Sequence, residues 1–151
     1  MKLVGKYLTF RLPEEFGVRV SCIHEIRDVV TREFTQQTGQ PGRPQWVRGA
    51  TNWQGKIIPV VDLSLKLGLP GQEPTQQTLV VVAEVGSNLV GLAVGGLRGV
   101  VTFGEGDVTA TDGDEPQGVV GIEKGRSAPI KLLDLKALFA GVELAELVFA
   151  E

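Results

Sequence analysis

An all-β fold is predicted by three features of this sequence. Twenty glycines and eight prolines divide 151 residues into short segments. The runs between them are rich in Val, Ile, Leu and Thr, which suit a pleated, half-buried strand. A hairpin-strand-helix unit also occurs twice, which points to two similar β lobes.

The elements follow in order. Lys6 to Leu12 alternates, with Leu8, Phe10 and Leu12 on one face and Tyr7, Thr9 and Arg11 on the other. Pro13-Glu14-Glu15 turns the chain, and Phe16 to Ile23 reads as the partner strand with Val18, Val20 and Cys22 on one face. Ile26 to Val30 continues the apolar pattern, and Glu33 to Gln45, rich in Gln, Thr, Gly and Pro, reads as a loop. Trp46 to Trp53 and Lys56 to Val61 form a hairpin around Gln54-Gly55, and a helical turn opens at Asp62 and stops at Gly68. Pro70 to Gln77 reads as another loop. Thr78 to Val85 and Leu89 to Val94 flank Gly86-Ser87-Asn88 as a second hairpin, and Leu97 to Phe103 follows as a strand. Gly104 to Gly118 reads as a polar, acidic, mobile loop. Val119 to Glu123 and Ser127 to Leu133 pair around Lys124-Gly125, Asp134 caps a short helix to Ala140, and Val142 to Ala150 is a last helical or irregular segment.

The repeat is read directly from the residues. Gly55-Lys56-Ile57-Ile58-Pro59-Val60-Val61-Asp62-Leu63 is echoed by Gly125-Arg126-Ser127-Ala128-Pro129-Ile130-Lys131-Leu132-Leu133-Asp134-Leu135, with one extra residue in the second copy. Upstream, Val47-Arg48-Gly49 matches Val119-Val120-Gly121. The copies lie about 70 residues apart, close to half the chain; the alternative is a chance likeness of two hairpins.

Composition narrows the function. A chain this long buries about two-thirds of its unfolded surface, enough for its own core. No apolar run approaches a membrane span, and no signal-peptide pattern opens the chain, so a cytoplasmic address is expected. One cysteine, Cys22, and one histidine, His24, exclude an internal disulfide framework and multi-Cys or His-rich metal sites. The net charge of −3 is uneven, because Gly99 to Glu123 holds six acids and no base. That disfavours nucleic acid, whose binding rests on clustered Lys and Arg. It fits a solvated acidic loop or docking on a basic partner.

No catalytic constellation emerges. There is no phosphate loop, and Gly91, Gly95, Gly96 and Gly99 precede no helix, so they read as turn, bulge or close-packing residues. Cys22 and His24 on a regular strand would sit about 7 Å apart, too far for direct proton transfer. Cys22 then reads as a small core residue and His24 as a surface or interface residue. Asp62 and Asp134 are explained by helix capping. The chain reads as a binding module, non-enzymatic and without cofactor or metal.

Three segments resemble the CheW-type chemotaxis coupling proteins. Tyr7 to Leu12, with Phe16 to Val20 and Ile23-His24-Glu25-Ile26, resembles the family's opening. Trp46 to Leu63 resembles its most specific motif, R/K-G-x-x-N-x-R-G-x-x-x-P-V-x-D-L. Leu79 to Val85, Val90 to Val94 and Ala128 to Asp134 match the later strands more loosely, and the likeness spans roughly residues 6 to 140. The resemblance implies an all-β fold of two packed SH3-like, five-stranded barrels in one CheW-like domain, 1–151. It also implies a non-enzymatic adaptor between a methyl-accepting chemoreceptor's cytoplasmic tip and the regulatory domain of a CheA-like histidine kinase. Carried over by position, Ile23, Glu25, Asn52, Gln54 and Gly55 are candidate partner contacts, with Val94 and Leu97 as further ones. Two departures stand out. Gln54 replaces the family's usual Arg, and Gly95-Gly96-Leu97-Arg98-Gly99-Val100 carries glycine in place of the usual acids. These fit a divergent member. The alternative function is a regulator of a pilus-motility or other non-flagellar pathway that binds a kinase or another protein without serving a chemoreceptor.

Overall fold

The computed structural model describes residues 3–12, 14–28, 34–36, 44–70, 79–111 and 115–147. The first half of the chain forms β1 (Gly5–Arg11), β2 (Glu15–Arg19), β3 (Ile23–Asp28), β4 (Phe34–Gln36), β5 (Val47–Trp53) and β6 (Lys56–Asp62), then helix α1 (Leu63–Lys66). The second half forms β7 (Leu79–Val85), β8 (Asn88–Val94), β9 (Leu97–Phe103), β10 (Val108–Ala110), β11 (Val119–Glu123) and β12 (Lys131–Leu133), then helix α2 (Leu135–Leu138). A 3-10 turn at Leu144–Leu147 follows. The all-β, two-lobe architecture agrees with the sequence reading. The lobes are six-stranded rather than five-stranded sheets, because β4 and β10 add a three-residue strand to each.

The two sheets share one plan. The first runs β10-β11-β12-β2-β1-β9 and the second β4-β5-β6-β8-β7-β3. Each therefore joins a hairpin from one half of the chain to four strands from the other. Both halves are joined by one parallel contact, β12 with β2 and β6 with β8, and one antiparallel contact, β9 with β1 and β3 with β7. The sequence echo is thus a structural repeat whose leading hairpins are exchanged, so no single chain position separates the lobes.

Equivalent bonds show how close the repeat is. Val47 N–H donates to the Pro44 carbonyl and Val119 N–H to the Pro116 carbonyl, both at 3.1 Å. Asp62 N–H donates to the Trp46 carbonyl at 2.8 Å, and Asp134 N–H to the Gly118 carbonyl at 2.9 Å. A bulge falls at Val47/Gly49 and again at Val119/Gly121. Both aspartates cap as expected: Asp62 accepts from Leu65 N–H, and Asp134 from Lys136 and Ala137 N–H. Asp62 does more. Its Oδ2 lies 3.1 Å from Nε and 2.8 Å from Nη2 of Arg48, and it is buried.

The pleat of β1 sends its two faces into different cores. Leu8, Phe10 and Leu12 enter the larger core, where Phe16, Val18 and Leu133 of the first sheet meet Val61, Val81 and Leu92 of the second. Tyr7 points the other way, into a smaller core with Phe103, Ile130 and Leu132. Burial therefore covers both faces, and the alternation marks which core a residue joins rather than inside against outside. Two glycines on the central strands β2 and β8 leave room for their neighbours. A Cβ on Gly91 would lie 2.8 Å from Val80 Cγ1, and one on Gly17 would lie 3.2 Å from Tyr7 Cβ. Gly91 is thus a close-packing residue, one of the roles expected for it.

Several boundaries differ from the sequence reading. The strand from Phe16 stops at Arg19, and Val20–Cys22 forms a 3-10 turn that leaves Val20 exposed and Cys22 half-buried against the core. Strand β4 lies inside the segment read as a loop. Strand β10 lies inside the acidic stretch because Val108 pairs with Glu123 and packs on the smaller core. Only Lys131–Leu133 of the Ser127 to Leu133 segment is strand, so its connection to β11 is longer than a tight hairpin. Residues 112–114 of the acidic stretch, like the Pro70 to Gln77 loop beyond Pro70, lie outside the described residues. Among the described residues no helix is long and apolar enough to cross a membrane, and no group of three His, Cys, Asp or Glu side chains is placed to hold a metal.

Two stability measurements follow. Asp62→Ala removes a buried carboxylate that both pairs with Arg48 and caps α1, and should cost about 3 kcal/mol in urea unfolding. Asp134→Ala loses a cap alone and should cost about 1 kcal/mol. Burial pushes the Tyr7 phenol above its usual 10.0, against the opposing pull of the Arg19 cation. The folded state then keeps a proton that the unfolded chain releases, so stability is full below that value and falls as pH rises past it. Tyr7→Phe should flatten this alkaline decline, while the lost Tyr7 hydroxyl bond to the Leu3 carbonyl costs about 1 kcal/mol at neutral pH.

Candidate functional site

The hairpin between β5 and β6 organises the candidate surface. Trp53 pairs with Lys56, which leaves Gln54 and Gly55 as a two-residue loop. Both have positive φ, 52° for Gln54 and 84° for Gly55, the signature of a type I′ turn that matches the twist of its strands. Glycine meets that demand freely, whereas Gln54 holds it at a steric cost. Asn52 secures the turn by accepting from Gly55 N–H at 3.0 Å through Oδ1.

Strand β3 lies at the edge of the second sheet beside β7, yet its side chains reach this hairpin. Trp53 Nε1–H donates to Glu25 Oε2 at 3.2 Å, and Arg27 Nη1 donates to the Asn52 carbonyl at 3.2 Å. Arg27 Nε also lies 3.4 Å from Glu25 Oε2. The His24 ring meets the Trp53 ring edge-on at 5.5 Å, and its Nε2 lies 3.1 Å from Glu84 Oε1 on β7. The second sheet therefore curls until its β3 edge meets the β5–β6 hairpin. A bulge at Ile23/Glu25 leaves His24 as the extra residue and re-aims the side chains around it. Exposed Ile26 and Ile57 add apolar surface to these two elements.

The candidate residues from the sequence separate into three groups. Glu25, Asn52, Gln54 and Gly55 come together at the hairpin, linked through Arg27 and Trp53. Ile23 is half-buried and packs on the larger core, and Leu97 is exposed at the start of β9 in the other sheet. Val94 is a correction. It is 1% exposed within the inter-sheet core, so its side chain is not part of the surface formed at the hairpin. Trp53, Arg27 and Glu84 carry no assignment in the sequence reading, whereas His24, read there as a surface or interface residue, lies at this surface. Arg27 had a signal, since i and i+2 on a strand share a face with Glu25. The reach of Trp53 to Glu25 crosses elements with no hydrogen-bonded pairing between them and has no linear signature.

Cys22 lies elsewhere, in a cavity of about 190 Å³ with Tyr7, Arg19, Leu133 and Asp134. Trp46 and Phe139 make an edge contact at 5.9 Å, and Lys66 Nζ sits 5.2 Å and 5.6 Å from their ring centroids. Partial burial pulls the Lys66 ammonium below its usual range.

Relief of the left-handed strain gives a direct check on the turn. Gln54→Gly should stabilise the protein by about 0.5–1 kcal/mol in urea unfolding, with Gln54→Asn between the two.

Comparisons with known proteins agree with this construction. Residues 6–143 match the model of the CheW-like domain. A "Chemotaxis protein CheW" of Rhizobium meliloti (strain 1021) is 33% identical over 144 residues, covering 90% of this chain and 88% of that protein. A "Chemotaxis protein CheW" of Klebsiella aerogenes is 32% identical over 108 residues, 68% of this chain and 62% of that one. Among solved structures, the scaffolding protein TtCheW from Thermoanaerobacter tengcongensis superposes with a TM-score of 0.79 at 25% identity, over 96% of this chain and 95% of that chain. The shared fold, the match across both sheets and the identity over nine-tenths of the chain place this protein in the CheW-like domain family of non-enzymatic chemotaxis scaffold proteins.

Proposed function

We propose that this protein is a cytoplasmic adaptor that couples the tip of a methyl-accepting chemoreceptor to the regulatory domain of a CheA-like histidine kinase. The observation that carries the reading is the braced hairpin. Glu25, Asn52 and Gln54 present polar groups on a turn tied to an edge strand, with Ile26 and Ile57 exposed on the same two elements. Ordered polar groups on elements that also expose isoleucines suit a helical hairpin tip, in which apolar contact supplies affinity and polar contacts fix register. Coupling also needs a scaffold that transmits a shift at one face to another, and a core shared by both sheets supports that. Ile23 and Leu97, which lie apart from the hairpin, are further proposed contacts, and recruitment to receptor arrays would occur through these partners.

One observation favours a second reading. Gln54 offers a neutral amide at the position where the resembled family motif has Arg, a guanidinium with five donors. A chain with a weaker grip on a receptor fits a regulator of a pilus-motility or other non-flagellar pathway that binds a kinase or another protein without serving a chemoreceptor.

Calorimetric titration with the kinase regulatory domain of the same organism tests the adaptor class. Micromolar binding, about −8 kcal/mol, is the expected result. Absence of binding at about 100 micromolar would remove the kinase partner and with it both readings in their kinase-binding form. If the kinase binds and a receptor-tip fragment does not, the second reading stands.

A further inference from the structure

We infer that Trp53 is a positioning residue for Glu25, whose carboxylate meets a hydrogen-bond donor, an amide or guanidinium, on the receptor tip. The inference rests on the adaptor reading above. Glutamate on an edge strand has several rotamers available, and ordering it on binding costs free energy. Here that order is built in beforehand. Trp53 Nε1–H and Arg27 Nε both fall on Oε2 of Glu25, at 3.2 Å and 3.4 Å, so Oε1 is the oxygen available to an incoming donor. Trp53 is braced in turn by the His24 ring at 5.5 Å, and His24 is paired with Glu84 at 3.1 Å. Arg27 is anchored on the Asn52 carbonyl at 3.2 Å. The indole is therefore one link in a chain of contacts from β7 through β3 to the hairpin. Gln54, neutral and held in the left-handed region, brings no charge to this carboxylate. Its local complement is the indole donor and the Arg27 guanidinium.

A double-mutant cycle on the full chain tests this, with a receptor cytoplasmic fragment containing the hairpin tip as the probe. Trp53→Phe keeps an aromatic ring for His24 and removes the donor, and should weaken binding about threefold to tenfold. Trp53→His, which retains a ring N–H, should recover part of that loss. In a Glu25→Ala background, Trp53→Phe should change nothing further, because it acts through a carboxylate no longer present. An equal loss in both backgrounds would overturn the inference and make Trp53 a contact in its own right. Wild-type binding with no effect of Trp53→Phe would overturn it while leaving the adaptor reading in place. No wild-type binding would overturn the receptor-coupling reading and this inference together. A measurement on the free protein guards against misfolded variants. Glu25→Gln should shift the indole N–H resonance of Trp53 and leave that of Trp46 in place, and an unmoved Trp53 resonance would refute the hydrogen bond on which the inference stands.

Discussion

Four strand joints hold this molecule together, parallel β12–β2 and β6–β8 and antiparallel β9–β1 and β3–β7, because they fasten a hairpin from one half of the chain to four strands from the other. Neither half can complete a sheet alone. The joint between Phe16 and Lys131 brings together residues on the order of a hundred positions apart, so most of the chain-ordering cost falls before that contact can offset it. Gly17 and Gly91 stand at these joints, where Leu132 and Val60 are their register partners. A side chain at either position would press on the neighbouring strand. The dense apolar packing around the joints is therefore tied to two residues whose contribution is the absence of a side chain.

The exchange of hairpins also explains the core. Because β1 and β2 leave their own half, their Leu8, Phe10, Phe16 and Val18 face Val61, Val81 and Leu92 across the larger core. That core is the interface between the sheets and one contiguous cluster, so motion of one sheet against the other would disturb its packing. A second link is the Trp46–Lys66–Phe139 group, which connects the end of α1 to the residue after α2. An adaptor that carries a conformational signal needs this kind of joint. At the candidate surface the Glu25 carboxylate is held by Trp53 and Arg27, and on the proposed function that order would lower the cost of binding.

Local rules made much of this legible from sequence alone. Alternation in Lys6 to Leu12, turn residues at Gln54-Gly55, and Asp before each apolar helical turn are short-range constraints, and the corresponding elements formed. The repeat was visible because both copies satisfy the same demands at a bulge, a proline-led strand and an Asp cap. The Phe16 strand was read too long because Val18, Val20 and Cys22 keep the alternation while the backbone turns at Val20 to change sheets. Val94 was placed at the surface by likeness and lies in the core because β8 is an interior strand of its sheet.

The all-β class, the duplicated unit, the hairpin and the two caps can be read from the residues, since each depends on neighbours close together in the chain. The exchange of hairpins, the tie of Asp62 to Arg48 and the bond from Trp53 to Glu25 come from the packed fold. Those three depend on which strands lie side by side. Pairing of distant strands is selected by burial of the shared core across the whole chain, and no local pattern encodes it.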